Sequence, residues 1–259
     1  MKVAIVGATG RMGREVIRAC NGEQVVAAIG RDELGKDVGV LAGVGSLDVP
    51  VSDEFELIAK SDVVIDFSLP SAAEELYQVA LEVGVPVVSG TTGLDERQSR
   101  LLRALAEEQP VVWAPNFSQG VTLLAHLAAL ATRAAGPTFD VEIVEMHHRD
   151  KRDAPSGTAL RLAEKVTEAR NLSLEDCVYG RHGDVGPRSD DEVGVMSLRG
   201  GSVVGDHKVI LAGRSERLEL AHIAEERAVF ARGAVRAAHW VIGRDVGFYG
   251  MRDVMGLAG

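Results

Sequence analysis

The sequence predicts an α/β protein: a doubly wound parallel sheet followed by a second, α+β domain built on a mixed sheet. Three observations predict it. An apolar run at residues 3–6 leads into glycines at 7, 10 and 13 and then into helix-forming sequence. Strand-like and helix-like segments alternate from there to about residue 118, the pattern of a parallel sheet with helical crossovers. Beyond that, three strand candidates follow one another with no helix between them, which points to a mixed or antiparallel sheet.

The elements follow in order. The first strand is continuously apolar, as suits a strand covered on both faces, and the helix after it carries Val16, Ile17 and Cys20. "VVAAI" is a second strand ending at Ile29, and the loop-rich stretch after it carries no clear pattern. "DVVIDFS" (62–68) is a third strand; Ser71 and Glu74 then match the S-x-x-E capping box of a helix that stops at Gly84. "VPVVSGTTG" (85–93) reads as strand and turn, "DERQSRLLRALAEEQ" as helix, and "VVWAPNFS" (111–118) as strand and turn. A helix covers 120–136, and "FDVEIVEMHH" is strand-like. From about Thr158 a helix sets Ala159, Leu162, Ala163, Val166 and Ala169 opposite Arg161, Glu164, Lys165 and Glu168. "GVMSL" (194–198), "DHKVILAG" (206–213) and "ERLELAHIA" (216–224) are the successive strands. The segment from about Arg227 onward is mainly helical and is expected to return to the first domain. The expected domains are therefore 1–118 with 228–259, and 119–227, with hinges near 117–120 and 225–228.

Composition narrows the function classes. The 259 residues carry a net charge of -10, which disfavours nucleic acid and anionic membranes as partners. Cys20 and Cys177 show neither metal-ligand nor redox spacing. No apolar stretch approaches the roughly 18 residues of a membrane span, and the opening residues lack signal-peptide anatomy. A cytoplasmic protein is the expectation.

The glycine-rich opening carries a specific chemistry. A strand, a tight turn and a helix N-terminus together hold a pyrophosphate in a Rossmann-like sheet. Gly7 permits the turn, Gly10 lets the backbone approach, and Gly13 lets helix and strand pack. The spacing is G-x-x-G-x-x-G, so a purely structural turn stays open as the alternative. An acid at the end of the second strand selects NAD; here that place reads Ile29, Gly30, Arg31. Arg31 is placed to pair with a 2′-phosphate, which points to NADPH. Asp32 follows closely and keeps NADH open, as does a reading of Arg31 as plain surface charge.

"MHHRDKRDAPSGTAL" (146–160) sets two histidines and three cations before a turn and a helix start. It is either a solvated loop or a pocket for something anionic. Adjacent histidines on a strand point to opposite sides, so one of His147 and His148 being structural stays open. Arg149 and Arg152 are assigned no role in chemistry; His207 and His222 read as core or interface residues.

These residues together resemble one family, 4-hydroxy-tetrahydrodipicolinate reductase (dihydrodipicolinate reductase) of lysine and diaminopimelate synthesis. The resemblance rests on "GATGRMGRE", "IDFSLP", "GTTG", "APNFSQGV", "EMHHRDKRDAPSGTAL", "SLRGGSVVGDHKVIL" and "YGMRDVMGL" and covers nearly the whole chain. It implies a dinucleotide-binding first domain and a second domain for substrate binding and homotetramer formation. It implies NAD(P)H contacts at Gly7, Ala8, Thr9, Gly10, Arg11 and Met12, at Gly90, Thr91 and Thr92, and at Ala114, Pro115, Asn116 and Phe117. It implies catalytic roles for His147 and Lys151, and substrate contacts at His148, Gly157 and Thr158. The departure is Gly30, where many members carry an acid.

The implied substrate is a small cyclic imine with two carboxylates, which needs charged or polar partners once desolvated. Lys151 offers a compact cation; Ser156, Gly157 and Thr158 open a helix whose N-terminus favours an anion. Hydride transfer to the ring leaves negative charge that a proton must quench. An imidazole, with an ordinary pKa of about 6.5, suits that task, so His147 is one proton source and Lys151 the other. Three rival functions remain: another Rossmann dehydrogenase of amino-acid metabolism, a catalytically inactive nicotinamide-binding regulator, and a hydrolase using His147, His148 and Glu145 as metal ligands. Adjacent strand histidines among cations suit a metal poorly, and the expectation is no metal.

Overall fold

The computed structural model describes residues 1–257. They form two compact units, one of residues 1–119 with 228–257, the other of 120–227. No helix among the described residues is long and apolar enough to cross a membrane.

The first unit contains β1 (Lys2–Val6), α1 (Arg11–Ala19), β2 (Gln24–Ile29), α2 (Val38–Ala42), β3 (Val51–Ser52), β4 (Val63–Asp66), α3 (Ala73–Val83), β5 (Val87–Ser89), α4 (Glu96–Leu105) and β6 (Pro110–Trp113). The second holds α5 (Gln119–Ala135), β7 (Asp140–His147), α6 (Gly157–Arg170), β8 (Cys177–Val178), β9 (Val193–Arg199), β10 (Gly205–Ala212) and β11 (Arg217–Ala224). The chain then returns to the first unit with α7 (Ala228–Val241), β12 (Gly247–Tyr249) and α8 (Met251–Val254).

All pairings in the seven-stranded sheet of the first unit are parallel, in the order β12-β6-β5-β4-β1-β2-β3. Alternate residues explain the unbroken apolar runs. Val3, Ile5, Val63, Ile65, Val88 and Val112 enter one core with α1 and α7, whereas Ala4, Val6, Val64, Val87 and Val111 enter the opposite core with α3 and α4. The inner strands are thus buried on both faces, which leaves no place for polar alternation. Strand order reverses between β1 and β4, a switch point of the kind at whose carboxyl strand ends open parallel sheets bind their ligands.

The second unit has a five-stranded mixed sheet, β11-β10-β7-β9-β8. β7 runs parallel to β9 and antiparallel to β10. Its burial alternates strictly along Asp140–His147; Val141 and Ile143 join Leu162, Val166 and Leu124 in one core.

Local departures from the sequence expectation have physical causes. Ser71 does not cap a helix: Pro70–Ala72 form a 3-10 turn, and the helix begins at Ala73 after an N-cap, Ala72, with no side-chain bond. Pro70, placed at the first positions of that turn, favours the tighter start. A full capping box forms instead at Asp95 and Gln98. The unassigned stretch after β2 is organised by Asp37, which accepts from the N–H groups of Val40, Leu47 and Val49; these bonds hold its carboxyl down at about 2. The returning segment also adds a strand, β12, to the edge of the parallel sheet beside β6.

Helix α7 packs so closely that a Cβ on Gly233 would lie 1.8 Å from the Phe117 carbonyl oxygen. Gly233→Ala should therefore destabilise the protein by about 1–3 kcal/mol, although the same change in an unobstructed helix stabilises by about 1 kcal/mol. Chemical denaturation measures the sign, and a stabilised variant would refute the close contact.

Candidate active site

In the second unit the geometry centres on Glu145, whose side chain is 0% exposed. It lies on β7 two residues before His147, so both side chains leave the same face of the strand. Register brings β9 alongside, with Ser197 opposite Glu145 and Arg199 opposite His147, and brings His207 of β10 opposite Glu145 from the other side. The Arg199 guanidinium donates twice to the carboxylate, at 2.9 Å to each oxygen. His147 Nδ1 lies 2.6 Å from Oε2, and the Ser156 N–H donates to Oε1 at 3.1 Å. Burial alone would raise the Glu145 carboxyl, but bonds from Arg199 and His147 outweigh it and hold it below the ordinary range.

Ser156 joins this centre to α6. It is the N-cap, its hydroxyl accepts from the Ala159 N–H, and the same oxygen lies 3.1 Å from His207 Nε2. Its N–H and hydroxyl are thus committed inside the protein, and the residue is buried. Gly157 follows on the surface, with nothing within 4 Å of an added Cβ, so the start of the helix is open to a ligand. Thr158 is half-buried beside it. His207 packs edge-to-face against His147 at 5.2 Å. Burial, and after it the nearby His147, depress its pKa to about 4.

The loop between strand and helix carries the cations. Lys151 donates to both oxygens of Asp153 at 2.9 Å, and Arg199 also holds the Asp153 carbonyl at 2.6 Å. His148 is half-buried and accepts the Lys151 N–H through its carbonyl. Arg149 and Arg152 are exposed. Among the described residues no group of three or more His, Cys, Asp or Glu could hold a metal ion.

In the first unit the glycine turn sits at the switch point. Gly7 has φ +76°, and a Cβ there would meet the Phe67 carbonyl oxygen at 2.6 Å; one on Gly13 would meet the Gly7 carbonyl oxygen at 2.2 Å. The N–H groups of Gly7 and Ala8 bond to the Ile29 carbonyl, and Gly10, the N-cap of α1, gives the helix no side-chain cap. The first-turn N–H groups, including those of Arg11 and Met12, therefore have no intrahelical acceptor, and the turn fits a pyrophosphate. A Cβ at Gly30 would meet Thr9 at 3.1 Å and Val51 at 3.3 Å, which leaves little room for an acid. Arg31 is exposed and its guanidinium donates to the Ser71 carbonyl at 3.4 Å.

Asp66, at the end of β4, is fully buried and accepts from the Ser68 N–H and from the Ser89 and Thr91 hydroxyls at 2.8–2.9 Å. That carboxylate ties the Gly90, Thr91 and Thr92 turn to the strand ends. Burial, and secondly the Asp66 charge, push the Tyr77 phenol up, and its hydroxyl meets Ser89 at 3.3 Å. Ala114 donates to the Ser89 carbonyl, Asn116 caps the Ser118 N–H, and Phe117 is a buried ring edge-to-face with Phe67. Pro115 and Thr92 are exposed. The Cys20 thiol, pushed up to about 12 chiefly by burial, is a packing group.

Two family models match: "Dihydrodipicolinate reductase, N-terminus" over residues 1–117 and "Dihydrodipicolinate reductase, C-terminus" over 120–255. The chain belongs to the dihydrodipicolinate reductase family. It is 49% identical over 264 residues to the 4-hydroxy-tetrahydrodipicolinate reductase of Alkalilimnicola ehrlichii, covering 99% of both chains. It is likewise 49% identical over 263 residues to that of Halorhodospira halophila, covering 98% of each. Among solved structures it resembles dipicolinate-bound dihydrodipicolinate reductase from Paenisporosarcina sp. TG-14, with a TM-score of 0.79, 28% identity and 98% of each chain covered. Like its family, it is an NAD(P)H-dependent oxidoreductase.

For this reductase, sequence reasoning did not single out Arg199 or Asp66; it named Glu145 only as a ligand of a rival metal hydrolase and read His207 as a core or interface residue, and His207 is buried. The i, i+2 spacing of Glu145 and His147 was a usable signal; the approach of Arg199 and His207 depends on strand register. Arg199→Ala should strand a buried charge and cost about 3–5 kcal/mol near neutral pH. In the parent, the depressed Glu145 contributes stability that is complete above the unfolded value of about 4.3 and is lost as pH falls through the lower folded one. The gap between parent and variant should thus narrow in acid, where Glu145 takes up a proton, as denaturant titrations across pH will measure.

Proposed function

We propose that this chain reduces 4-hydroxy-tetrahydrodipicolinate, or its dehydrated form, to tetrahydrodipicolinate in lysine and diaminopimelate synthesis, in the cytoplasm. The observation that carries this reading is the segment from Glu145 to Thr158 in a chain that matches a family relative over 99% of both: its interior anion is already neutralised by Arg199, and Lys151 and the open start of α6 remain for a dianionic ring. One substrate carboxylate lies against Gly157 and Thr158 at the helix N-terminus. The other competes with the exposed Asp153 for Lys151. His148 flanks the ring, and the buried Ser156 holds the helix start in place.

The bound dihydronicotinamide supplies the hydride. Gly7 to Met12 hold its pyrophosphate, and Gly90 to Thr92 with Ala114 to Phe117 line the ring end of the crevice. The crowded Gly30 and exposed Arg31 favour NADPH, with Arg31 on the 2′-phosphate. Lys151 offsets the negative charge that grows on the substrate, and His147 gives the proton that quenches it. The resemblance read from the sequence implies a homotetramer, formed on this reading through the second unit's sheet; edge strand β11 exposes Leu218 and Ile223, residues that a neighbouring copy would cover.

A coupled assay that generates the substrate in place, followed by nicotinamide absorbance, tests the reaction. Binding of NADPH without turnover would instead mark a regulator. His147→Gln and Lys151→Ala should each lower kcat by roughly two orders of magnitude or more; near-parent rates in both would remove the chemistry from this loop. Arg31→Ala should weaken NADPH more than NADH, as paired KM measurements will show, and equal weakening would take Arg31 off the phosphate.

A further inference from the structure

The reading above makes His147 the proton donor, and the inference here rests on that reading and deepens it. Besides His147 and the Ser197 hydroxyl, Glu145 is met by groups that can only donate to it: two N–H groups of Arg199 and the backbone N–H of Ser156. An ionised carboxylate accepts and never donates, so the 2.6 Å contact with His147 requires the hydrogen to sit on Nδ1. The opposite ring nitrogen faces a place kept empty by the sequence. A Cβ on Gly205 would lie 3.0 Å from His147 Nε2 and 3.4 Å from its Cδ2. Gly205 is absent from the glycines with positive φ, so space is the reason for glycine there, not backbone freedom.

We propose that Glu145 is a positioning residue that fixes His147 as the Nδ1–H tautomer, leaving Nε2, beside Gly205, as the ring atom open to give or take a proton. Arg199 holds Glu145 in place from β9, and Ser156 ties the same carboxylate to the start of α6, so the orientation of His147 and the anion-facing helix end are set by one side chain. His207, the other ring in contact, is committed to Ser156 Oγ through Nε2 and stays neutral, so it adds no charge against a protonated His147.

The substitution Glu145→Gln makes a definite demand. Its amide has one oxygen and one NH2 group where the parent has two acceptors. On either side the NH2 would face one Arg199 N–H, so Arg199 does not choose between them; facing Ser156 it would also meet a backbone N–H that cannot turn, whereas facing His147 it meets a ring that can become an acceptor by moving its hydrogen to Nε2. The variant should therefore reverse the tautomer. Full-length protein labelled with 15N-histidine reads this directly, at a pH where the ring is neutral, with the His147 signals assigned by their loss in His147→Gln.

The expected result is an Nδ1–H signature in the parent, an Nε2–H signature in Glu145→Gln, and kcat lower by about 10–100-fold with KM little changed. Gly205→Ala should keep the Nδ1–H signature and lower kcat by crowding Nε2. An Nε2–H signature in the parent, a measurement that needs no variant to fold, overturns the proposal, as does an unchanged tautomer in Glu145→Gln. Reversal of the tautomer with parent-level turnover upholds the role of Glu145 and instead removes His147 from proton transfer.

Discussion

A carboxylate sealed from water must find donors for both oxygens, and the second unit is arranged around that demand at Glu145. Its donors come from three places in the chain: His147 on the same strand, Arg199 on β9, and the Ser156 backbone at the head of α6. An unpaired ion in that position would cost several kcal/mol, so the loop from 148 to 155 cannot drift without breaking the set. Arg199 also holds the carbonyl of Asp153, the residue that carries Lys151. One buried charge thus fixes the histidine, the lysine and the helix start relative to one another within the unit.

The first unit answers a different constraint. A parallel sheet with helices on both sides buries every strand twice, and only at the strand ends does backbone become available to a ligand. Where order reverses between β1 and β4, the Gly7 turn lies so close to Phe67 that a side chain has no room. Asp66 organises the neighbouring turns with neutral donors only, from Ser68, Ser89 and Thr91, a gentler arrangement than the guanidinium pair at Glu145. The two carboxylates illustrate two ways of keeping an acid inside a protein.

The chain's net charge of -10 makes local order matter more than overall sign. An anionic substrate is repelled by the molecule as a whole and must be held by short-range groups. The cations in and beside the loop serve this in unequal ways: Arg199, on β9, is consumed by Glu145, Lys151 is held by an exposed and replaceable Asp153, and Arg149 and Arg152 face solvent.

The class of fold was legible in residues 1–118 because two-sided burial forces continuous apolar strands, while helices keep one polar face. The mixed sheet was legible from strands that succeed one another without crossover helices. Ser71 misled because a capping pattern is silent about Pro70, whose ring favours the tighter turn. β12 went unread because three residues, Gly247–Tyr249, are too few to show a period; only the exposed edge of β6 makes them a strand. Motifs likewise announced the glycine turn and the histidine–lysine loop, since both chemistries depend on neighbours in sequence. Glu145 with Arg199, Ser156 with His207, and Asp66 with Thr91 were decided by tertiary structure alone. Their partners lie 25 to 54 residues apart, and which donor reaches a buried acid is set by strand register, a quantity that no local pattern encodes.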